Sequence, residues 1–385
     1  MRAPYNRPLE NPRFPSNLQI GGERRRISPP IDALEGNCLL AARLFSRHDA
    51  SSHTRYQELK QLARSQRRVL AGTPGTLKQR SRRGTDYWVR EYIRVDGKKD
   101  DEHAGTVSAV DAARIKDLQA EIDLAKALAS GSSTLRALGF QRIERNTAAV
   151  LGTLFNRGLY RAGLVLVGSH AYGALLNELG IVAPGYRTQD VDVARAQPLA
   201  VALPAGMDFQ QLLNESALEF VAVPGMPSKQ PSGSFKLRGA DALAVDLLVP
   251  GKTVGKVVPI EELGAHAQSI PLLDFLAKEP LDAVVLSPNQ VVPVKVPSPE
   301  RFVLHKLFSS QSRKTDRDKI RKDLQQAAVL AAAVEEETPG RIADLIRTMP
   351  SAGRAAARRG ARAAARLIED AHPLAREALQ RIAGR

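Results

Sequence analysis

The sequence has 385 residues, a length that corresponds to two or three domains. Hydrophobic residues make up 43% and charged residues 25%, as in ordinary globular proteins, but the formal net charge is +15. This charge favours polyanionic partners such as RNA, DNA or nucleotides. A genome-wide bias towards Arg and Ala explains the same excess equally well, so both interpretations stay open.

Cysteine content and hydropathy exclude several classes of protein. Cys38 is the single cysteine, which rules out a disulfide within the chain and a thiolate zinc site. No window approaches about 18 continuous apolar residues, and the first residues lack the apolar core of a signal peptide. We therefore expect a cytoplasmic protein that does not enter a membrane. The sequence does not indicate an oligomeric state.

The first half of the chain divides into two predicted segments. Residues 1–54 are rich in Pro, Arg, Asn and Ser and predict a flexible basic arm. Residues 55–160 predict a hairpin plus helical region. It begins with a helix over 55–71, continues with a hairpin whose turn is Asp96-Gly97, and ends in helices over 108–160 that break at residues 131–133.

The second half predicts a mixed sheet followed by helices. Residues 161–298 alternate between apolar runs and turns, and their predicted strands are 164–167, 187–193, 219–223, 233–238 and 243–249. Residues 299–385 predict a C-terminal helical domain, which is helical over 300–336 and ends in an Ala- and Arg-rich helical tail. The whole pattern predicts an α+β fold in which a mixed-sheet domain is flanked by these two regions.

An acidic pair follows a glycine-serine turn in the middle of the chain. Asp190 and Asp192 alternate with valines on a predicted strand, so both carboxylates point to one face. They repel each other unless a divalent cation lies between them. Upstream, Gly168-Ser169 ends an apolar strand and opens a helix, whose N–H groups suit phosphate oxygens. The combination is typical of metal-dependent phosphoryl or nucleotidyl transfer.

A third carboxylate, Asp246, lies within the apolar run of residues 242–249. Such an acid is costly unless it is paired or metal-bound. The alternative to a metal role is an Asp that caps a loop or pairs with Lys236 or Arg238. Two ions about 3.5–4 Å apart can clamp an in-line displacement. On this hypothesis Asp190 and Asp192 hold both ions, and Asp246 completes the ion nearest the attacking hydroxyl.

Five blocks of the sequence together resemble a known family. The blocks are Thr73-Pro-Gly-Thr76 with the basic Tyr-Trp strand after it, Leu166-Val-Gly-Ser-His-Ala171, Thr188-Gln-Asp-Val-Asp-Val-Ala194, Val245-Asp-Leu-Leu-Val-Pro250 and Pro299-Glu-Arg-Phe-Val-Leu-His-Lys-Leu307. Over most of residues 55–335 the chain resembles a bacterial nucleotidyltransferase-fold family of unassigned substrate, within the polymerase-β-like nucleotidyltransferase superfamily. The resemblance implies the fold and the metal-binding roles of Asp190, Asp192 and Asp246.

Nucleotidyltransferases similar to this chain bring a lysine to the triphosphate from a helix that follows the sheet. Lys306 is the first candidate and Lys322 the second, beside Gly168 and Ser169 as predicted nucleotide-binding residues. A solvated charged helix face is the alternative. In the tail, basic side chains recur every four residues, which indicates either an anionic partner or a plain surface helix. This stripe comprises Arg354, Arg358, Arg362 and Arg366.

The predicted function is transfer of a nucleoside monophosphate from an NTP to a hydroxyl acceptor, with Mg²⁺ or Mn²⁺ as cofactor and release of pyrophosphate. The acceptor is RNA, a protein side chain or a small molecule. Nucleic acid is a possible partner through the basic N- and C-terminal regions. Two other hypotheses remain: a non-catalytic regulatory or toxin–antitoxin-type protein that retains the fold, and a basic nucleic-acid-binding protein with structural acids.

Overall fold

The computed structural model describes residues 43–108, 111–185, 188–201, 203–204, 206–225, 231–239, 243–313, 316–368 and 370–384. Most of the predicted arm, residues 1–54, lies outside these residues. Its last part is described. Ser46–Arg47 forms a strand, and the first helix begins at Ala50, because Asp49 caps it by accepting a hydrogen bond from the N–H of Ser52 at 2.9 Å.

The strands are, in chain order, β1 (Ser46–Arg47), β2 (Thr76–Arg82), β3 (Thr85–Ile93), β4 (Lys99–Thr106), β5 (Leu164–Val167), β6 (Ile181–Val182), β7 (Asp190–Arg195), β8 (Phe220–Ala222), β9 (Ser234–Leu237), β10 (Ala244–Pro250), β11 (Val257–Ile260), β12 (Ala265–Ile270), β13 (Leu281–Leu286) and β14 (Val291–Val296). The α-helices are α1 (Ala50–Arg64), α2 (Ala112–Ala137), α3 (Arg145–Asn156), α4 (Leu159–Ala162), α5 (Gly168–Glu178), α6 (Phe209–Asn214), α7 (Leu273–Leu276), α8 (Pro299–Ser312), α9 (Arg317–Glu337), α10 (Arg341–Leu345), α11 (Ser351–Ala365) and α12 (Pro373–Ala383).

The main sheet is mixed, with the strand order β11–β12–β10–β7–β5. β10 is parallel to β7 and β12, whereas β5 is antiparallel to β7. β9 pairs antiparallel with the first half of β10, and β8 pairs with β9. β5, β7 and β10 are rich in Val, Leu and Ala and bury most of their side chains, as strands covered on both faces do. The predicted α+β fold is confirmed.

The predicted hairpin exists and belongs to a separate antiparallel sheet with the order β2–β3–β4. β3 pairs with β4 across the turn that contains Asp96 and Gly97. The added strand, β2, was not predicted, because its basic and mostly exposed side chains lack an apolar alternation. Strands β11 to β14 were also outside the predicted set.

The predicted helix break at residues 131–133 is wrong, since α2 runs through them. Gly131 packs against Leu59 of α1, where a Cβ would lie 2.6 Å from the leucine Cδ1. Buried Ser132 donates its hydroxyl to the carbonyl of Ser287 at 2.7 Å. These tertiary contacts stabilise helical residues whose intrinsic propensity is low.

The stretch predicted to be helical over 300–336 contains two helices, α8 and α9. The Asp316 carboxylate caps α9 by accepting a hydrogen bond from the N–H of Lys319 at 2.9 Å. One cluster of buried apolar side chains includes Leu151 of α3, Val193 of β7, Leu304 of α8 and Ala357 of α11. It therefore runs through the three segments predicted after the arm, whose boundaries stay a prediction. None of the described helices is both long and apolar enough to span a bilayer.

Candidate active site

Strand register brings the predicted acids together. Asp192 of β7 is paired with Asp246 of β10, and on its other side with Val167, the last residue of β5. Paired positions on neighbouring strands point to the same face of a sheet. Asp190, two residues before Asp192, lies on that face at the start of β7. All three predicted carboxylates thus lie beside the point at which β5 passes into α5.

Gly168 is the residue that allows this approach. Its φ angle is +67°, in the left-handed region, and a Cβ at this position would overlap the Asp192 carboxylate. α5 therefore begins directly against that carboxylate, with Ser169 as its second residue. The amino end of a helix presents unbonded N–H groups and a partial positive charge, which suits a phosphate group. This arrangement agrees with the predicted nucleotide-binding role of Gly168 and Ser169.

The Asp192 carboxyl lies in an unfavourable electrostatic environment. Burial, with the nearby charges of Asp246 and Asp190, raises its pKa to about 6, although Lys306 and Lys322 act in the opposite direction. Burial, together with the charge of Asp190, also raises the pKa of Asp246. Like charges held together without a cation shift in this way. The carboxylates of the cluster therefore repel one another, and a positively charged ligand would reduce this repulsion.

A polar chain behind the cluster orients Asp246. The Ser234 hydroxyl on β9 donates to Asp246 Oδ1, and Gln268 Nε2 on β12 donates to the Ser234 hydroxyl at 2.8 Å. The alternative in which Asp246 pairs with a lysine or arginine of the preceding strand is wrong. Lys236 lies opposite Ala244, and Arg238 instead approaches Glu219 at 3.9 Å. Ser234 and Gln268 were missed, because only the strand register reveals them.

The donor set suits a hard divalent cation, since it consists of carboxylate oxygens. The charges of the three acids are close enough to raise the pKa values of Asp192 and Asp246. Across the described parts of the chain, however, no group of three or more His, Cys, Asp or Glu side chains surrounds a common cation position. The chemistry and charge fit Mg²⁺ or Mn²⁺, while the coordination geometry is not formed in this structure.

The two candidate lysines approach the acids from α8 and α9. Both Lys306 and Lys322 act on the Asp192 carboxyl, as their effect on its pKa shows. Lys306 Nζ also forms an ion pair of 2.6 Å with Asp323, a buried acid that Arg313 Nε contacts at 3.1 Å. Burial and the neighbouring Lys306 lower the pKa of Lys322. Lys306 is thus fixed by Asp323 beside the acids, and the solvated-face alternative does not describe it.

A cleft of about 1210 Å³ opens beside Asp190. Its walls are the start of α3, the segment before it, the start of α5 and the residues before β7. Its polar lining includes Arg142, Arg145, His170, Thr188, Gln189 and Asp190. The arginines were missed by sequence reasoning, because they lie about 45 residues before the acids and belong to no recognised block.

The arginine stripe of the tail lies on α11 and the residue after it. Small side chains of α11 face the core, and Gly360 packs so closely on the backbone of Leu307 that a Cβ would overlap the Leu307 carbonyl. Arg358 and Arg366 are exposed on the outer face. The stripe is therefore a surface feature on the helix that supports α8.

A family model described as nucleotidyltransferase matches residues 145–350, the stretch from the first residue of α3 to the start of α11. This stretch covers more than half of the chain and includes all the predicted site residues. Neither the curated proteins nor the solved structures gave a match.

Proposed function

The chain belongs to the nucleotidyltransferase family whose model matches residues 145–350, and on this premise we propose that it transfers a nucleoside monophosphate from an NTP to a hydroxyl acceptor. Pyrophosphate is the leaving group, Mg²⁺ or Mn²⁺ is the cofactor, and the chain is a member of the polymerase-β-like superfamily. The acceptor belongs to one of three classes: RNA, a protein side chain or a small molecule.

The register of Asp192 and Asp246 is the observation that carries the proposal. It holds two carboxylates side by side in a setting that raises both of their pKa values, next to a helix that starts with a glycine and a serine. A protein that only needed a stable sheet would gain from apolar residues at these positions. The repulsion is useful if a cation and a phosphate chain bind there.

Each residue has a proposed role. Asp190, Asp192 and Asp246 would hold the divalent cations, which neutralise phosphate charge and activate the acceptor hydroxyl when bound. Ser169 and the first N–H groups of α5 bind the β- and γ-phosphates. Lys322 and Lys306 balance the charge that develops on the leaving pyrophosphate. The acceptor oxygen attacks the α-phosphorus while the bond from that phosphorus to the pyrophosphate oxygen breaks.

Ser234 and Asp323 are positioning residues in this scheme. Ser234 fixes one oxygen of Asp246, which leaves the carboxylate group oriented on the face that it shares with Asp192. Asp323 restrains the Lys306 ammonium group and keeps it from moving freely with a long side chain. Both contacts reduce the reorganisation that substrate binding requires.

Two other functions predict different behaviour. A regulatory or toxin–antitoxin-type protein that retains the fold would bind an NTP with metal but transfer nothing. A nucleic-acid-binding protein with structural acids would lose affinity steeply with salt and would not respond to Asp190→Ala. The retained carboxylates and the glycine that contacts one of them favour transfer.

The test is a transfer assay with each NTP labelled on the α-phosphate, in Mg²⁺ or Mn²⁺, with a host extract as the source of acceptors. We expect label on one acceptor class with the wild-type protein. Asp192→Asn should lower the rate by about 10³-fold, the scale of losing a major electrostatic contact in a transition state. Asp274→Asn, in α7 and outside the cluster, is the matched control and should leave the rate unchanged. Metal-dependent NTP binding without transfer would contradict the enzymatic proposal.

A further inference from the structure

The cleft beside Asp190 has two arginines that the catalytic scheme does not use. Arg142 lies in the connection between α2 and α3, and Arg145 is the first residue of α3. The backbone at Arg142 is fixed, because it bridges to Leu286 and the next N–H, of Ile143, donates to the Leu286 carbonyl at 2.8 Å. The position from which this arginine side chain extends is therefore set before any ligand binds.

The positive charge of Arg145 acts on the guanidinium group of Arg142. Burial, followed by the charges of Arg136 and Arg145, lowers the pKa of Arg142, whereas the charge of Glu144, which lines the same cleft, raises it. Neither Arg142 nor Arg145 forms an ion pair with any carboxylate of the described residues. Two adjacent cations that form no ion pair favour the binding of an anion.

The amino end of α3 adds to this positive wall. The N-cap residue, Glu144, places no side-chain hydrogen bond on the first turn, and Arg145, Asn146 and Thr147 of that turn line the cleft. α3 is 12 residues long, so it carries the partial positive charge of a full helix at this end. Helix N–H groups beside arginine side chains make a common phosphate-binding arrangement.

His170 supplies an independent indication that a ligand binds here. Its side chain is 8% exposed, it lines the cleft, and its Nε2 atom has no hydrogen-bond partner among the described residues. Burial and the charge of Lys322 lower the pKa of His170 to about 4, so the imidazole is neutral at pH 7. A neutral imidazole can donate one hydrogen bond from Nε2 to a ligand oxygen. A buried polar atom without a partner is costly unless a ligand completes it.

The opposite wall connects the cleft to the acids. Thr188, Gln189 and Asp190 line it, whereas Lys306 and Lys322 do not. The site thus has one group of basic residues beside Asp192, which the proposed function assigns to the NTP, and a second group beside Asp190. The second group is left for the other substrate.

We propose that this cleft binds the acceptor, and that the acceptor is the end of a nucleic-acid strand whose phosphates contact Arg142, Arg145 and the first turn of α3. The assignment to an acceptor rests on the proposed function. The volume of about 1210 Å³ exceeds that of ordinary small-molecule pockets, about 300–1000 Å³, and suits a chain of nucleotides. Gln189 supplies an amide group for sugars and bases, and the net charge of +15 attracts a polyanion.

The test measures the binding of two ligands separately. Fluorescence anisotropy follows a short fluorescein-labelled oligonucleotide, as RNA and as DNA, and a second titration follows an α,β-non-hydrolysable NTP analogue with Mg²⁺. The variants are Arg145→Ala, the double change Arg142→Ala with Arg145→Ala, and Arg161→Ala. The last is the matched control, because Arg161 is an exposed arginine of α4 that does not line the cleft and is not among the charges that act on Arg142.

We expect the double variant to bind the oligonucleotide about tenfold more weakly, and Arg145→Ala to lie between it and the wild type. The slope of log affinity against log salt should fall by about 0.7 for each arginine removed, which a general loss of structure would not produce. The affinity of these variants for the NTP analogue, and both affinities of Arg161→Ala, should stay within about twofold of wild type.

Three results would overturn the proposal: no binding of either oligonucleotide by the wild type, no loss in the variants, or an equal loss for the NTP analogue. The last would assign the arginines to the triphosphate. Arginine-dependent oligonucleotide binding without any transfer of label would support the cleft assignment while it contradicts the nucleotidyl-transfer proposal. Transfer of label to a protein or small molecule without oligonucleotide binding would support the nucleotidyl-transfer proposal while it contradicts the cleft assignment.

Discussion

Asp192 and Asp323 are two acids of the same site with opposite surroundings. The Asp323 side chain is 3% exposed and contacts two cations, Lys306 Nζ at 2.6 Å and Arg313 Nε at 3.1 Å. Asp192 instead lies beside Asp246, with Asp190 two residues away on the same face. Burial and these acids raise its pKa to about 6. Asp323 is satisfied by the protein itself, whereas Asp192 is not.

Asp323 therefore stabilises the fold through its ion pairs, whereas the rest of the fold holds Asp192 in an unfavourable position. A buried ion pair that loses one partner leaves an uncompensated charge. A carboxylate held among other carboxylates is already an uncompensated charge when no cation is bound. Substitution should therefore destabilise the protein at Asp323 and stabilise it at Asp192.

Asp323→Asn should lower the free energy of unfolding by about 3 kcal/mol, because Lys306 and Arg313 lose their shared carboxylate. Urea denaturation followed by circular dichroism measures the change. Asp318→Asn, an exposed acid on the same helix, is the matched control and should change stability by less than about 0.5 kcal/mol. A change at Asp323 no larger than the control would remove the contrast.

Gly168→Ala should lower the free energy of unfolding by about 2 kcal/mol, since it combines a left-handed backbone with a Cβ that overlaps the Asp192 carboxylate. Gly255→Ala is the control: Gly255 has a φ angle of +78° and open space where its Cβ would lie. The difference between the two denaturation midpoints isolates the contact with Asp192. Equal midpoints would mean that Gly168→Ala acts only through the left-handed backbone conformation and not through the contact with Asp192.

Asp192→Asn should raise the free energy of unfolding at pH 7.5 by about 2 kcal/mol, because it removes a charge from a repulsive, partly buried position. The same denaturation experiment measures it, in the presence of EDTA so that no divalent cation compensates the wild type. A loss of stability would show that the Asp192 carboxylate is well satisfied in the folded protein.

The stability gained by Asp192→Asn should depend on pH. The folded-state pKa of about 6 lies above the ordinary value of 3.8, so the folded wild type binds more protons than the unfolded chain between these values. The wild type therefore becomes relatively more stable as the pH falls through 6, and the penalty is gone below about pH 4. The advantage of the variant should shrink accordingly between pH 7.5 and pH 4.5. A constant advantage over this range would contradict the raised pKa.

Ser234→Ala should have the smallest effect, a loss of about 1 kcal/mol or less, because it removes one hydrogen bond to a partly buried acid. It should also raise the pKa of Asp246 further, since the Ser234 hydroxyl acts to lower it. The transfer rate of the variant should therefore decline at a higher pH than that of the wild type when the pH is lowered. If the transfer rates of the variant and the wild type declined at the same low pH, Asp246 would not be the group whose protonation limits the rate.

The core of the site could be predicted because its signals are local. Asp190 and Asp192 share a strand face by simple alternation, and Gly168-Ser169 directly follows an apolar strand. The contacts that orient these residues could not be predicted. Ser234 reaches Asp246 only through the antiparallel register of β9 and β10, and Asp323 reaches Lys306 only because α8 and α9 pack across a break.

The same distinction explains the wrong helix break. Gly131-Ser132-Ser133 has the composition of a break, and local propensity gave the wrong answer because Leu59 and the Ser287 carbonyl contact this part of α2. Arg142 and Arg145 illustrate the remaining difficulty. Nothing in their neighbourhood distinguishes them from other surface arginines until the fold brings them beside Asp190.

Whether Asp190, Asp192 and Asp246 bind a divalent cation is tested most directly by the affinity for Mn²⁺, measured from the electron paramagnetic resonance signal of the free ion. The wild type and Asp323→Asn should both bind Mn²⁺ at pH 7.5. Asp192→Asn should bind at least tenfold more weakly, and wild-type affinity should fall as the pH drops below 6, because protons and the cation compete for the same carboxylate. Equal Mn²⁺ affinity in the wild type and Asp192→Asn would contradict the assignment of these acids to a divalent cation.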